Sequence, residues 1–210
     1  MKELFSKQKW KYLLYTVSHP SDGYYWIRHQ EKGSTAIALL LVILFSFSFS
    51  LNRMYASFIV NDLEPWRINA LPELGGVLLL FFILCVANWS VTCLMEGEGR
   101  MKDIMIAIGY AFFPMIVGLN LGTLVSQIVA ENEEAFYGII LGLGVAYGVI
   151  MMMIGIMQVH NYSLGKTLGT LFLSVIAVFI IIFLGLLLVD LVTRLFTFFK
   201  SVYTELSFRT

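Results

Sequence analysis

Five long runs of apolar residues, each free of Asp, Glu, Lys and Arg, dominate the pattern of this chain. They cover residues 34–51, 74–95, 104–130, 135–159 and 167–189. A helix needs about 20 apolar residues to cross a bilayer, and each run has roughly that length. We therefore predict an all-α integral membrane protein, a bundle of five transmembrane helices. Phe and Ser alternate over 45–50 as in a strand, but an open strand in lipid leaves backbone groups unpaired, so we assign them to the first helix.

Polar segments flank this predicted five-span domain, residues 34–190. Residues 1–33 contain six basic residues, and residues 191–210 form an amphipathic tail that extends the fifth helix or turns along the interface. In the first segment, several apolar residues fall on one side of a helix: Trp10, Leu13, Leu14 and Val17. Such a helix lies on the membrane surface or packs against the protein, and both remain open. Residues 19–23, with a proline and a glycine, predict a turn.

Composition and charge agree with a membrane protein. The chain is 59% hydrophobic and only 13% charged, whereas soluble domains carry about 25% charged residues. Fourteen basic and fourteen acidic residues cancel, so we expect no nucleic-acid partner. Lys and Arg number nine in the segments on the amino-terminal side of the spans and five on the other side. This asymmetry predicts a cytoplasmic amino terminus and a carboxyl terminus outside.

The third run contains a proline and a stripe of small residues. Pro114 lacks a backbone donor and its ring clashes with the carbonyl of Tyr110, so we predict a kink. Small residues at four-residue spacing, here and in the fourth run, let helices approach closely in lipid. The predicted packing positions are Gly118, Gly122, Ser126, Gly138, Gly142, Gly144 and Gly148. The stripes serve packing within the bundle or self-association.

Residues 109–114, Gly-Tyr-Ala-Phe-Phe-Pro, match the Gly-Tyr-x-x-x-Pro pattern of the Yip family, five-span membrane proteins named for interaction with Ypt/Rab GTPases. The chain resembles that family over about residues 18–190, which marks Gly109, Tyr110 and Pro114 as motif residues. The loop before the third span also resembles the family and has these candidate cytoplasmic residues: Glu96, Gly97, Gly99 and Lys102. The Asp-Leu-Tyr-Gly-Pro motif of eukaryotic members is missing before the first span. The resemblance therefore implies a bacterial cell membrane, or Golgi and endoplasmic reticulum for a eukaryotic protein.

Candidate catalytic and metal-binding residues are sparse. Histidines 19, 29 and 160 are too scattered for a zinc site, and we interpret His160 as a helix cap or an interface residue rather than a catalytic group. Three carboxylates near the second loop offer oxygen ligands for a divalent cation, but neighbouring basic residues favour a solvated loop: Glu96, Glu98 and Asp103. Cys85 and Cys93 would lie about 12 Å apart along a helix, too far for a disulfide. We predict no enzyme, no metal and no cofactor.

A transporter would place polar groups within the bilayer. The spans offer few: Asn88, Ser90, Thr92, Asn120, Gln127 and Asp190. Asn88 and Thr92 share a face of the second span, and hydrogen bonds between helices account for them. We therefore predict a non-enzymatic protein of Yip type that organises the bilayer or binds another membrane protein or complex, its own copies included. A small-solute transporter or channel subunit is the alternative.

Overall fold

The computed structural model describes residues 6–61 and 63–208. Within these ranges it contains seven α-helices and no strand: α1 (Lys7–Ser18), α2 (Pro20–Gln30), α3 (Thr35–Tyr55), α4 (Ala70–Leu94), α5 (Met101–Ser126), α6 (Glu134–His160) and α7 (Leu164–Phe208). Single 3₁₀ turns lie in the α3–α4 and α5–α6 connections. The five helices α3 to α7 are long and apolar enough to cross a membrane. The predicted all-α fold with five spans is confirmed.

Several helix ends differ from the predicted spans. α3 continues four residues beyond the predicted end, and Arg53 in this last turn pairs with Glu73 of α4. α4 begins four residues early because the Asn69 side chain caps it. α5 begins three residues early, with Asp103 in its first turn, where the helix dipole favours a carboxylate. It also ends four residues early, at Ser126. The polar residues that flank an apolar run can therefore belong to the helix, so the end of the run does not fix the end of the helix.

The amino-terminal segment forms two helices that pack against the bundle. Leu13 of α1 and Tyr24 and Ile27 of α2 are fully buried, whereas Leu14 is 55% exposed. Of the two alternatives for this segment, the structure shows the packed one. The predicted turn over 19–23 is wrong, because Pro20 opens α2 at a position where its missing N–H costs nothing.

α5 is the central helix of the bundle. It packs extensively against α3 and against α6. The Phe–Ser passage over 45–50 is helical, as predicted, and lies in α3. Its three serines are buried while Phe47 points outward, so the hydroxyl groups lie inside the protein and an aromatic ring faces the lipid.

α7 is far longer than a bilayer requires. Its 45 residues correspond to about 68 Å, against a hydrocarbon core of about 30 Å. Its buried residues occupy one side of its first half: Thr167, Thr170, Ser174 and Val178. The tail after residue 190 continues the same helix to Phe208 and is exposed on all sides. Of the two alternatives for the tail, the structure shows the extension.

Candidate functional site

The Gly-Tyr pair of the motif fixes the start of α3 against α5. A Cβ on Gly109 would lie 2.6 Å from the Cβ of Ala38, so only glycine permits this approach of the two helices. The neighbouring Tyr110 is fully buried. Its hydroxyl accepts a hydrogen bond from the backbone N–H of Ser34, at 3.1 Å. Ser34 is the N-cap of α3. Its backbone N–H is buried away from water, and the Tyr110 hydroxyl gives it a hydrogen-bond acceptor.

Replacing Tyr110 by phenylalanine is expected to lower the free energy of unfolding by about 1–2 kcal/mol, because the buried Ser34 N–H loses its acceptor. Unfolding in detergent, followed by circular dichroism, measures the change. The control is Tyr203→Phe, since Tyr203 is 74% exposed on α7. Equal stability of the two variants would show that the Tyr110 hydroxyl does not hold the start of α3.

The part of the motif around Pro114 lies at the contact of α5 with α6. A Cβ on Gly144 would lie 3.0 Å from the Pro114 carbonyl oxygen and 3.0 Å from the Cα of Gly118. Gly148 packs in the same way on the backbone of Ala111, where a Cβ would lie 2.8 Å from the carbonyl oxygen. α5 runs through Pro114 as one continuous helix. The kink at this position remains a prediction, and the backbones of α5 and α6 touch beside it.

Not all the small residues meet the backbone of the facing helix. Gly122 packs on the side chain of Leu141, with a Cβ position 2.8 Å from the nearest atom, and the Ser126 hydroxyl accepts a hydrogen bond from the Ser57 N–H at 3.1 Å. The predicted packing role is wrong for Gly138 and Gly142 within this chain, because a Cβ there meets nothing within 4 Å. Residues two positions apart point to opposite sides of a helix, so Gly142 faces away when Gly144 faces α5.

The α4–α5 loop closes directly over the end of α6. A Cβ on Gly97 would lie 2.6 Å from both His160 Nδ1 and the Tyr162 hydroxyl, and a Cβ on Gly99 would lie 2.6 Å from His160 Cε1. Glu96 adopts the left-handed conformation, φ 57°, which turns the chain into this contact. The loop therefore needs glycine at positions 97 and 99 because of the His160 imidazole, which lies 61 residues after Gly99 in the sequence.

His160 is a buried link between this loop and α6. It is 1% exposed and stacks on Tyr162, with ring centroids 5.3 Å apart. Its Nδ1 accepts a hydrogen bond from the Gly99 N–H at 3.1 Å, while its Nε2 has no hydrogen-bond partner among the described residues. His160 therefore joins α6 to the loop, whereas the C-cap of α6 is Asn161.

Arg28 joins three elements and is not among the residues that the sequence singles out. Its guanidinium donates to the Val159 carbonyl oxygen of α6 at 3.1 Å. It also donates to the backbone carbonyl of Glu98 and pairs with the Glu98 carboxylate at 3.2 Å. α2, the loop and the end of α6 are thus held by one side chain. Because its partners lie 70 and 131 residues away, no local pattern marks it.

Two arginines and a lysine near the loop form ion pairs with acidic residues. Glu31, after α2, accepts from Arg100 at 2.9 Å and lies 3.4 Å from Lys102. These two cations lower the pKa of the Glu31 carboxyl, first through their hydrogen bonds. Arg100 also binds the buried Asp103 at 2.8 Å. Among the described residues no three His, Cys, Asp or Glu side chains are placed to hold a metal ion, and the carboxylates of Glu98 and Asp103 pair with separate arginines.

The tyrosines of this region tie the amino-terminal helices to the bundle. Tyr24 donates to the Ala107 carbonyl of α5 at 3.2 Å, and Tyr147 of α6 donates to the Val17 carbonyl of α1 at 2.6 Å. Burial raises the pKa of Tyr24, so the phenol keeps its proton and remains a donor. The amino-terminal helices, the loop and the ends of α5 and α6 therefore form one connected surface.

Several polar residues inside the spans form hydrogen bonds to neighbouring helices or within their own helix. Asn88 donates to Ser174 of α7 at 3.1 Å, and Asn120 donates to Ser48 of α3 at 2.8 Å. Thr92 donates to the Asn88 carbonyl of its own helix at 2.8 Å. Gln127, beyond the end of α5, donates to the Tyr55 carbonyl at 2.5 Å. The bonds of Asn88 and Asn120 connect helices, as predicted for Asn88, whereas the side chain of Thr92 bonds within α4.

The region that contains these contacts matches a known protein family. A family model described as Yip1 domain matches residues 14–187. The match includes the motif at 109–114, the α4–α5 loop and His160. The comparisons with curated proteins and with solved structures gave no match. The resemblance inferred from the motif and the five spans is confirmed.

Proposed function

This chain belongs to the Yip1 domain family, and we propose that it is a non-enzymatic membrane adaptor whose amino-terminal side binds another membrane protein or complex. The docking surface consists of α1, α2 and the α4–α5 loop, residues 6–33 and 95–103, and is called the platform below. The observation that carries the proposal is Arg28, which fastens α2 to the loop and to α6. A segment held in this way is a preformed surface.

Preformation favours binding because a partner then does not have to order the segment. The platform exposes large aromatic and aliphatic side chains beside lysines. Leu14 is 55% exposed, Tyr15 40% and Tyr25 43%, and Lys7 and Lys11 are exposed on the same helix as Leu14. Protein interfaces are enriched in aromatic residues, surrounded by a polar rim. The combination suits a protein partner.

The excess of basic residues at this end supports a cytoplasmic platform, with the carboxyl terminus on the other side of the membrane. We place the protein in a bacterial cell membrane, because the motif of eukaryotic members before the first span is missing. The hydrogen bonds of Asn88 and Asn120 to neighbouring helices support an adaptor over the alternative of a solute transporter.

Site-specific photocrosslinking in native membranes tests the proposal. A benzophenone amino acid replaces Tyr15 or Tyr25 on the platform and, as the control, Phe183, which is 61% exposed on α7. We expect the platform positions to form a discrete adduct with one membrane protein, lost when Arg28 is also changed to glutamine. The Phe183 position should give no such adduct. An adduct that is the same at all positions, or that survives the Arg28 change, would contradict a preformed platform.

Solute flux into liposomes that contain the pure protein would establish the transport alternative.

A further inference from the structure

A polar cleft opens between α1 and α2. Its volume is about 330 Å³, and it is lined by Gln8, Lys9, Tyr12, Gln30, Glu31 and Lys32. The cleft ends three residues before α3 begins at Thr35. Because α3 enters the membrane there, the cleft lies at the depth of the lipid headgroups. Trp26, 36% exposed, lies beside it, and exposed Trp and Tyr are typical of this depth.

Aromatic rings hold the ammonium group of Lys32 in the cleft. The ammonium group of Lys32 lies 4.9 Å from the ring centroid of Trp26 and 5.8 Å from that of Tyr12. In the part of the chain that the structure describes, Lys32 forms no ion pair. The Lys9 ammonium donates to the carbonyl oxygens of Glu31 and Gly33, at 2.6 and 2.8 Å. The aromatic faces position the charge of Lys32 without neutralising it.

Among the described residues, Glu31 is the one carboxylate that lines the cleft, and cations outside the cleft already neutralise it. Glu31 pairs with Arg100 at 2.9 Å and with Lys102 at 3.4 Å, both from the start of α5. Among the described residues, Lys32 therefore faces the cleft as a cation that pairs with no carboxylate. The positive potential is therefore directed into the cleft, and an anion is the complementary ligand.

We propose that the cleft between α1 and α2 binds the headgroup of an anionic phospholipid. The phosphate lies against the ammonium group of Lys32, and the amides of Gln8 and Gln30 donate to the oxygens of the headgroup. A lipid fits better than a soluble anion because the cleft opens where a span enters the membrane and beside exposed aromatic residues. Basic pockets at this depth bind such headgroups. The proposal does not rest on the adaptor function.

Native mass spectrometry of the full chain, extracted from nanodiscs, tests this site. The nanodiscs contain phosphatidylcholine alone or a mixture with phosphatidylglycerol, and the fraction of protein that retains each lipid is measured. Lys32→Gln should lower retention of phosphatidylglycerol about five-fold, the effect expected of one lysine near a membrane surface. The matched control, Lys166→Gln, removes the same charge from an ammonium group that lies 4.4 Å from the Tyr162 ring centroid, outside the cleft. It should leave retention unchanged.

A second variant tests the site independently, in case Lys32→Gln disturbs the fold. Gln30→Glu places a negative charge at the exposed rim of the cleft without removing a described hydrogen bond, and should reduce phosphatidylglycerol retention to the same degree. Inorganic phosphate is the competing soluble anion. If phosphate displaces the lipid at millimolar concentration, or binds equally well in phosphatidylcholine, the site is one for free anions and the lipid proposal is wrong. Equal retention of both lipids, or an equal loss in Lys166→Gln, would also overturn it.

Discussion

Replacing Gly144 by leucine is expected to lower the free energy of unfolding by about 3 kcal/mol, the upper end of the usual cost of overpacking. The first atom of the new side chain would lie 3.0 Å from both the Pro114 carbonyl oxygen and the Cα of Gly118. Both neighbours are backbone atoms, so no side-chain rotation relieves the contact. α5 and α6 must separate, and this is the most extensive helix contact in the bundle.

Gly142→Leu is the matched control on the same helix. A Cβ at Gly142 meets nothing within 4 Å, so the new side chain enters lipid or detergent. Helix propensity should then make this variant as stable as the original protein or more stable, by up to about 1 kcal/mol. Unfolding of both variants by denaturant in the same micelles gives the comparison. If both glycine variants lose the same stability, close backbone contact between α5 and α6 does not hold this bundle together.

The pair of glycines also shows how far the sequence determines this fold. The spans are predictable because bilayer thickness sets the length of each apolar run. Which face of a helix a glycine occupies in the bundle is not predictable. A helix in lipid is apolar on all sides and lacks the periodicity that marks the core face of a soluble helix. Gly142 and Gly144 therefore look equivalent in the sequence, and only the contact with Gly118 separates them.

The residues of the candidate site that belong to a family motif were predictable from the sequence. Their contacts with residues far away in the sequence were not. The family resemblance singles out Gly97, Gly99 and Tyr110, but their partners explain why those residue types are needed. Gly99 donates to His160, and Tyr110 accepts from Ser34. The error over residues 19–23 has a local cause, since proline both interrupts helices and begins them. The residues next to Pro20 in the sequence do not indicate whether this proline interrupts a helix or begins one.

Replacing Arg28 by glutamine is expected to loosen the platform while the spans stay folded. The change removes hydrogen bonds from a charged group to the Val159 and Glu98 carbonyls, and such bonds contribute about 1.5–3 kcal/mol. A local loss of about 2 kcal/mol corresponds to a roughly thirty-fold rise in the opening of α1 and α2. Hydrogen exchange read by mass spectrometry should therefore speed up by about this factor in α1 and α2, with little change in α5.

The control for Arg28 is Arg194→Gln, which breaks an exposed pair with Asp190 on α7. The two side chains are 77% and 59% exposed, and such pairs contribute about 0.5 kcal/mol or less. Exchange in α1 and α2 should be the same as in the unmodified chain. If Arg28→Gln also leaves exchange there unchanged, the tyrosine contacts to Ala107 and from Tyr147 are sufficient to hold the platform. Loss of the crosslinked partner without faster exchange would instead place Arg28 in the interface itself, because binding would then fail on a surface that is still ordered.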